Sequence, residues 1–86
     1  MGKRPEKIWE QLQRNLHNVR FGDFCRLVEW FGFQRKGGRG SHETYFHPEV
    51  REILDLQSLH GEAKPYQIRQ FLRLVTAYHL KEGGKT

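Results

Sequence analysis

The chain contains one cysteine, one methionine and three prolines, and only 36% of its residues are hydrophobic. With Cys25 alone, an internal disulfide and every Cys-x-x-Cys zinc or redox pattern are excluded. A chain without such support suits a reducing compartment. No apolar run approaches the ~20 residues that a membrane span needs. No apolar stretch follows the basic start Met1-Gly2-Lys3-Arg4-Pro5, so it does not read as a secretory signal. These absences predict a cytoplasmic address. His17, His42, His47, His60 and His79 form no i, i+4 pair and no zincin-type motif. Neither a metal nor another cofactor is expected.

What the sequence does have is charge and aromatic volume. Eighty-six residues suit a single domain, and 13% aromatic content predicts a core of few, large side chains. Fifteen Lys and Arg stand against ten Asp and Glu, a net charge of +5. That balance favours an anionic partner, and for a small basic domain nucleic acid is the commonest.

Periodicity supplies the elements. Pro5, Glu6 and the stripe Ile8, Trp9, Leu12, Leu16 predict a short amphipathic helix over 5–16. Phe24, Leu27, Val28 and Phe31 predict a second over about 22–31, ended by Gly32. Residues 33–36 read as a strand closed by a Gly37-Gly38-Arg39-Gly40 turn. Ser41–His47, stopped by Pro48, reads as a second strand, with His42, Thr44 and Phe46 on one face. Arg51–Gln57 is the expected third strand and Ser58–Lys64 a loop around Gly61. Pro65, Ile68, Phe71, Leu72 and Val75 predict a closing helix. The order describes an α+β domain with a small three-stranded antiparallel sheet and helices on one face. Within it, 1–18 is a helical extension, 19–80 the core and 81–86 a tail expected to fray.

Two cationic segments could carry chemistry. Arg35-Lys36-Gly37-Gly38-Arg39-Gly40-Ser41-His42 holds three cations, three glycines, a hydroxyl and an imidazole, and no acid. Glycines let backbone N–H groups approach a phosphate, and Lys36 and Arg39 would neutralise it. His42 could exchange protons near neutral pH beside a bound phosphodiester. His47 would reach the same site only through a bulge, because five residues along a strand reverse the face. The second segment runs from Lys64, before a helix N-terminus, to Arg69 and Arg73, one turn apart. The plain alternatives are a solvated turn, an exposed histidine and an ordinary charged helix face. Cys25, among apolar neighbours, reads as a small core residue.

The order of these residues resembles the HicA toxin family. The resemblance rests on a helix ending in Gly32-Phe33, a basic strand, Gly40-Ser41-His42 heading the next strand, His47-Pro48 ending it, and a final helix of the type Pro65-Tyr66-Gln67-Ile68-Arg69-Gln70-Phe71-Leu72. It covers about residues 19–80. It implies a double-stranded-RNA-binding-domain-like fold, α-β-β-β-α, and an RNA-cleaving toxin of a type II toxin–antitoxin pair, neutralised by a HicB-type antitoxin. By that resemblance His42 is the catalytic histidine, Gly40 and Ser41 shape its turn, and mRNA is cut without a metal. Lys36, Arg39, Gly40, Ser41, Lys64, Arg69 and Arg73 are the candidate RNA contacts. Three features depart from the pattern. The first helix is extra, and would cover a sheet edge, form a homodimer or meet the antitoxin. Glu43 follows His42 directly. The approach to the last helix, 58–64, is less basic and proline-rich than is typical. Two alternatives remain, a non-catalytic double-stranded-RNA-binding module on the same fold and a protein-interaction domain.

Overall fold

The computed structural model describes residues 2–84. In chain order it contains α1 (Pro5–Leu12), α2 (Phe21–Trp30), β1 (Gln34–Arg39), β2 (His42–Phe46), β3 (Leu54–Leu59), β4 (Glu62–Ala63), α3 (Pro65–Ala77) and a 3-10 turn, Glu82–Gly84. The strands form one antiparallel sheet in the order β1-β2-β3-β4. The α+β architecture is as the sequence predicts, with one strand more.

Alternation decides which face of the sheet is covered. Tyr45 lies opposite Leu54 and Glu43 opposite Leu56, so these four side chains share a face. Tyr45, Leu54 and Leu56 are buried there together with Phe24, Leu27 and Val28 of α2 and Ile68, Phe71 and Leu74 of α3. The Phe71 ring is the hub: it meets Phe24 at 5.6 Å, Phe31 at 5.4 Å and Phe33 at 6.0 Å between centroids, each edge-on or steeply inclined. Such contacts add directional energy to the area they bury. The Tyr45 hydroxyl donates to Glu29 Oε2 at 2.7 Å. Burial, then this hydrogen bond, holds its pKa above the ordinary tyrosine value.

α1 packs on α2 rather than over a sheet edge. Ile8 and Leu12 are buried, and the Trp9 ring meets Phe31 at 4.8 Å. The helix stops at Leu12, a turn before the predicted end, and Leu16 reaches the core from the linker. Lys3 N–H donates to Asp23 Oδ1 at 3.3 Å, and Arg26 pairs with the same carboxylate while donating to the Lys3 carbonyl at 3.1 Å. At the other end Leu80 is buried and Glu82–Gly84 touch α2. Of the tail expected to fray, Lys85 and Thr86 lie outside the described residues.

The sheet corrects the expected strand boundaries in three places. β1 continues through Gly37 and Gly38 to Arg39, and the turn is only Gly40-Ser41. A Cβ at Gly38 would stand 2.5 Å from the His42 carbonyl oxygen, so this glycine serves close strand pairing rather than a turn. Gly40, at φ +63, occupies the first central position of a two-residue hairpin, as a type II′ turn requires. The third strand spans Leu54–Leu59 instead of 51–57. The expected loop 58–64 is a second hairpin: His60 and Gly61 both have positive φ, the pattern of a type I′ turn, and lead into β4. Two residues carry too little pattern to announce a strand, and histidine is not a usual first residue of that turn. The chain before α2 closes the β4 edge, with Ala63 N–H donating to the Val19 carbonyl at 2.8 Å.

Beyond β4, a side chain takes the place of a strand. Gln67 of α3 is buried; its Nε2 donates to the Asp55 carbonyl at 3.0 Å, and its Oε1 accepts from Gln57 N–H at 2.9 Å. One primary amide thus satisfies a donor and an acceptor that β4 is too short to reach.

Candidate functional site

The face of the sheet turned away from the helices carries the candidate site. His42 opens β2 and is exposed, paired in register with Arg39 on β1 and with Gln57 on β3. Residues opposite one another in adjacent strands share a face, so Arg39, His42 and Gln57 form a row across the sheet. Lys64, from the segment before α3, extends it: Lys64 Nζ donates to Gln57 Oε1 at 2.7 Å. Four side chains from four segments therefore adjoin, two of them cationic. Gly40 and Ser41 form the exposed tip of the hairpin. Ser58 N–H donates to the Ser41 carbonyl at 2.9 Å and ties that tip to β3.

The charge of this face is graded. One step down the strands Thr44 pairs with Asp55, and Thr44 Oγ1 donates to the Asp55 carboxylate at 2.9 Å. An anion is favoured at the hairpin end and opposed at that acid. Glu43, the neighbour of His42, lies on the other face. Its carboxylate is bonded to Arg35 Nε, which holds the guanidinium pKa above its ordinary value, through the hydrogen bond first and the charge second. The pair fits because residue 38 has no side chain: a Cβ there would stand 3.0 Å from both Arg35 Nη2 and the Glu43 carboxyl carbon.

The other candidates are distributed more widely. Lys36 is the extra residue of a bulge in β1 and is exposed. Arg69 and Arg73 are exposed on α3, outside the row. His47 directly follows β2, its ring edge-on to Phe33 at 5.1 Å and its Nδ1 accepting from Glu49 N–H at 3.0 Å. It is a structural residue on the opposite face from His42. Cys25 is half-buried in α2, and burial pushes its thiol up to about 11. Among the described residues no three metal-ligating side chains come together, and no helix is long and apolar enough to cross a membrane. A cavity of about 240 Å³ lined by Gly2, Arg20, Gly22, Asp23, Arg26 and Gly61 shares no residue with the row.

Sequence reading missed Gln57, Tyr66 and Gln67. Gln57 joins the site only through its register with His42. Tyr66, 59% exposed, has Lys64 Nζ 6.0 Å from its ring centroid. An aromatic residue left in water beside a lysine was the signal available.

Fold and site together define a small α+β domain with a basic, histidine-bearing hairpin on the bare face of its sheet. Residues 21–75, from the start of α2 into α3, match the family model described as HicA toxin of bacterial toxin–antitoxin systems. The chain belongs to this HicA toxin family. No curated protein and no solved structure matched it.

Proposed function

We propose that this protein is the toxin of a toxin–antitoxin pair and acts as an endoribonuclease on mRNA, with His42 as general base. The observation that carries this reading is the exposed His42 in register between Arg39 and Gln57, with Lys64 drawn to Gln57. The imidazole takes the proton of a ribose 2′-OH. The 2′-oxygen then bonds to the adjacent phosphorus, the bond from phosphorus to the 5′-oxygen breaks, and the departing 5′-oxygen takes a proton from solvent. Arg39 and Lys64 neutralise charge that develops on the phosphate oxygens. Lys36, Arg69 and Arg73 contribute backbone contacts farther along the RNA, and Gly40 and Ser41 keep the tip narrow. A HicB-like antitoxin silences the toxin by covering the His42 row.

The test is the product end. Cleavage of a defined RNA by the purified protein leaves 2′,3′-cyclic phosphate termini, and His42→Ala loses that activity and growth arrest while retaining its fold. Products with 3′-OH ends would reject the mechanism. The alternative, a non-catalytic double-stranded-RNA-binding module, predicts that Arg69→Ala and Arg73→Ala weaken duplex binding while His42→Ala changes nothing.

A further inference from the structure

From the surroundings of Tyr66 we infer that the protein carries a base-stacking subsite beside His42, formed by the Tyr66 ring and flanked by Lys64. The inference rests on the RNA reading above and specifies what the site grips: an unpaired nucleobase. Tyr66 is the most exposed large apolar or aromatic side chain among the described residues, yet its polar end has a partner. Its hydroxyl accepts from Gln67 Nε2 at 3.3 Å, and Gln67 is itself buried and bonded to the β3 backbone on both sides of its amide. The ring is thus tied to the sheet through its polar end, and Lys64 Nζ stands over one face while the residue stays 59% exposed.

Its position is set by a continuous chain of contacts. Tyr66 neighbours Lys64 Nζ, Lys64 Nζ bonds Gln57, and Gln57 lies opposite His42. A base resting on the ring would have its phosphate at the lysine and an adjoining ribose toward the imidazole. An exposed aromatic next to a cation is the combination that grips unpaired RNA: stacking holds the base with little regard to sequence, and the cation holds the backbone. A duplex cannot use it, because paired bases present no free face. The shallow groove of double-stranded RNA is read instead through its 2′-hydroxyls and phosphates. The subsite therefore selects single-stranded regions on a fold that resembles a duplex binder.

The experiment uses the full-length His42→Ala protein, so that RNA is bound and not consumed, with a single-stranded oligonucleotide and the same sequence annealed to its complement. The expected result is tighter binding of the single strand. Adding Tyr66→Ala weakens that binding roughly 5- to 150-fold, the range for loss of one stacked base, and leaves duplex binding unchanged. Tyr66→Trp, which keeps a stacking face but loses the hydroxyl's tie to Gln67, recovers most of the single-strand binding that Tyr66→Ala loses. A 2-aminopurine in the strand is quenched by the His42→Ala protein and not by the Tyr66→Ala double variant. Equal loss of single-strand and duplex binding, or no loss with either, overturns the subsite. Failure of His42→Ala to abolish cleavage would overturn the catalytic reading and leave this result standing.

Discussion

β2 opens on one histidine and is followed directly by another, and the two stand in opposite surroundings. At the hairpin end His42 faces solvent in a row with Arg39, Gln57 and Lys64. Just past the other end His47 lies against Phe33 and caps the turn through Glu49 N–H. Five positions separate them, an odd number, so the pleat sends them to opposite faces. One face is committed to the core and the other is free for chemistry. Strand parity, more than residue type, distinguishes a catalytic candidate from a structural histidine here. Glu43 obeys the same rule: adjacent in sequence to His42, it is spent on Arg35 across the sheet.

The contrast can be broken most directly by exchanging the effects of the two histidines. His42→Ala is expected to reduce RNA cleavage by about 10²- to 10⁴-fold, the usual contribution of a general base, with an unchanged melting temperature. His47→Ala is expected to do the reverse, retaining activity at low temperature and costing about 1–2 kcal/mol for the lost ring contact and acceptor. Cleavage assays beside thermal melts measure both, and loss of activity without loss of stability in His47→Ala would collapse the distinction. Gly38→Ala tests the hairpin end. Its Cβ would press on the His42 carbonyl, so a cost of about 1–3 kcal/mol is expected. Gly37→Ala, with nothing within 4 Å of its Cβ, should fall within about 0.5 kcal/mol of wild type by denaturant titration.

Glu43→Gln sharpens the parity argument further. If Glu43 belongs to the Arg35 face, the pH dependence of cleavage stays where it was; a displaced pH–rate profile would place that carboxylate in the site. The smallest effect concerns Cys25. Burial raises its folded pKa to about 11, above the unfolded value. The contribution to stability is therefore complete below the unfolded pKa and is lost as pH rises through about 11. Native protein should accordingly be alkylated much more slowly at pH 8 than unfolded chain, by mass spectrometry.

How far the sequence reached follows the same physics. The helices were legible because apolar residues recur with the helical period, and Phe71 and Ile68 stood out as core on that ground. The hairpin and the exposed His42 were legible from glycine and serine next to a β-rich run. The strand limits were not, since Gly37 and Gly38 resemble a turn unless their cross-strand neighbours are known. β4 was invisible because two residues, Glu62 and Ala63, have no period. Gln57 and Gln67 were missed for a deeper reason. A glutamine's role depends on which backbone it faces, and that is fixed by register and docking rather than by its neighbours in the chain.

Gln67 has one consequence for the motions of the molecule. The amide protons of residues 57 and 58 are adjacent in the chain yet are held by different parts of the protein, one by a side chain of α3 and the other by the Ser41 carbonyl of the hairpin tip. Deuterium uptake at Gln57 therefore reports detachment of α3, and uptake at Ser58 reports peeling of β2 from β3. Two neighbouring positions serve as separate gauges of how the helix layer and the hairpin open.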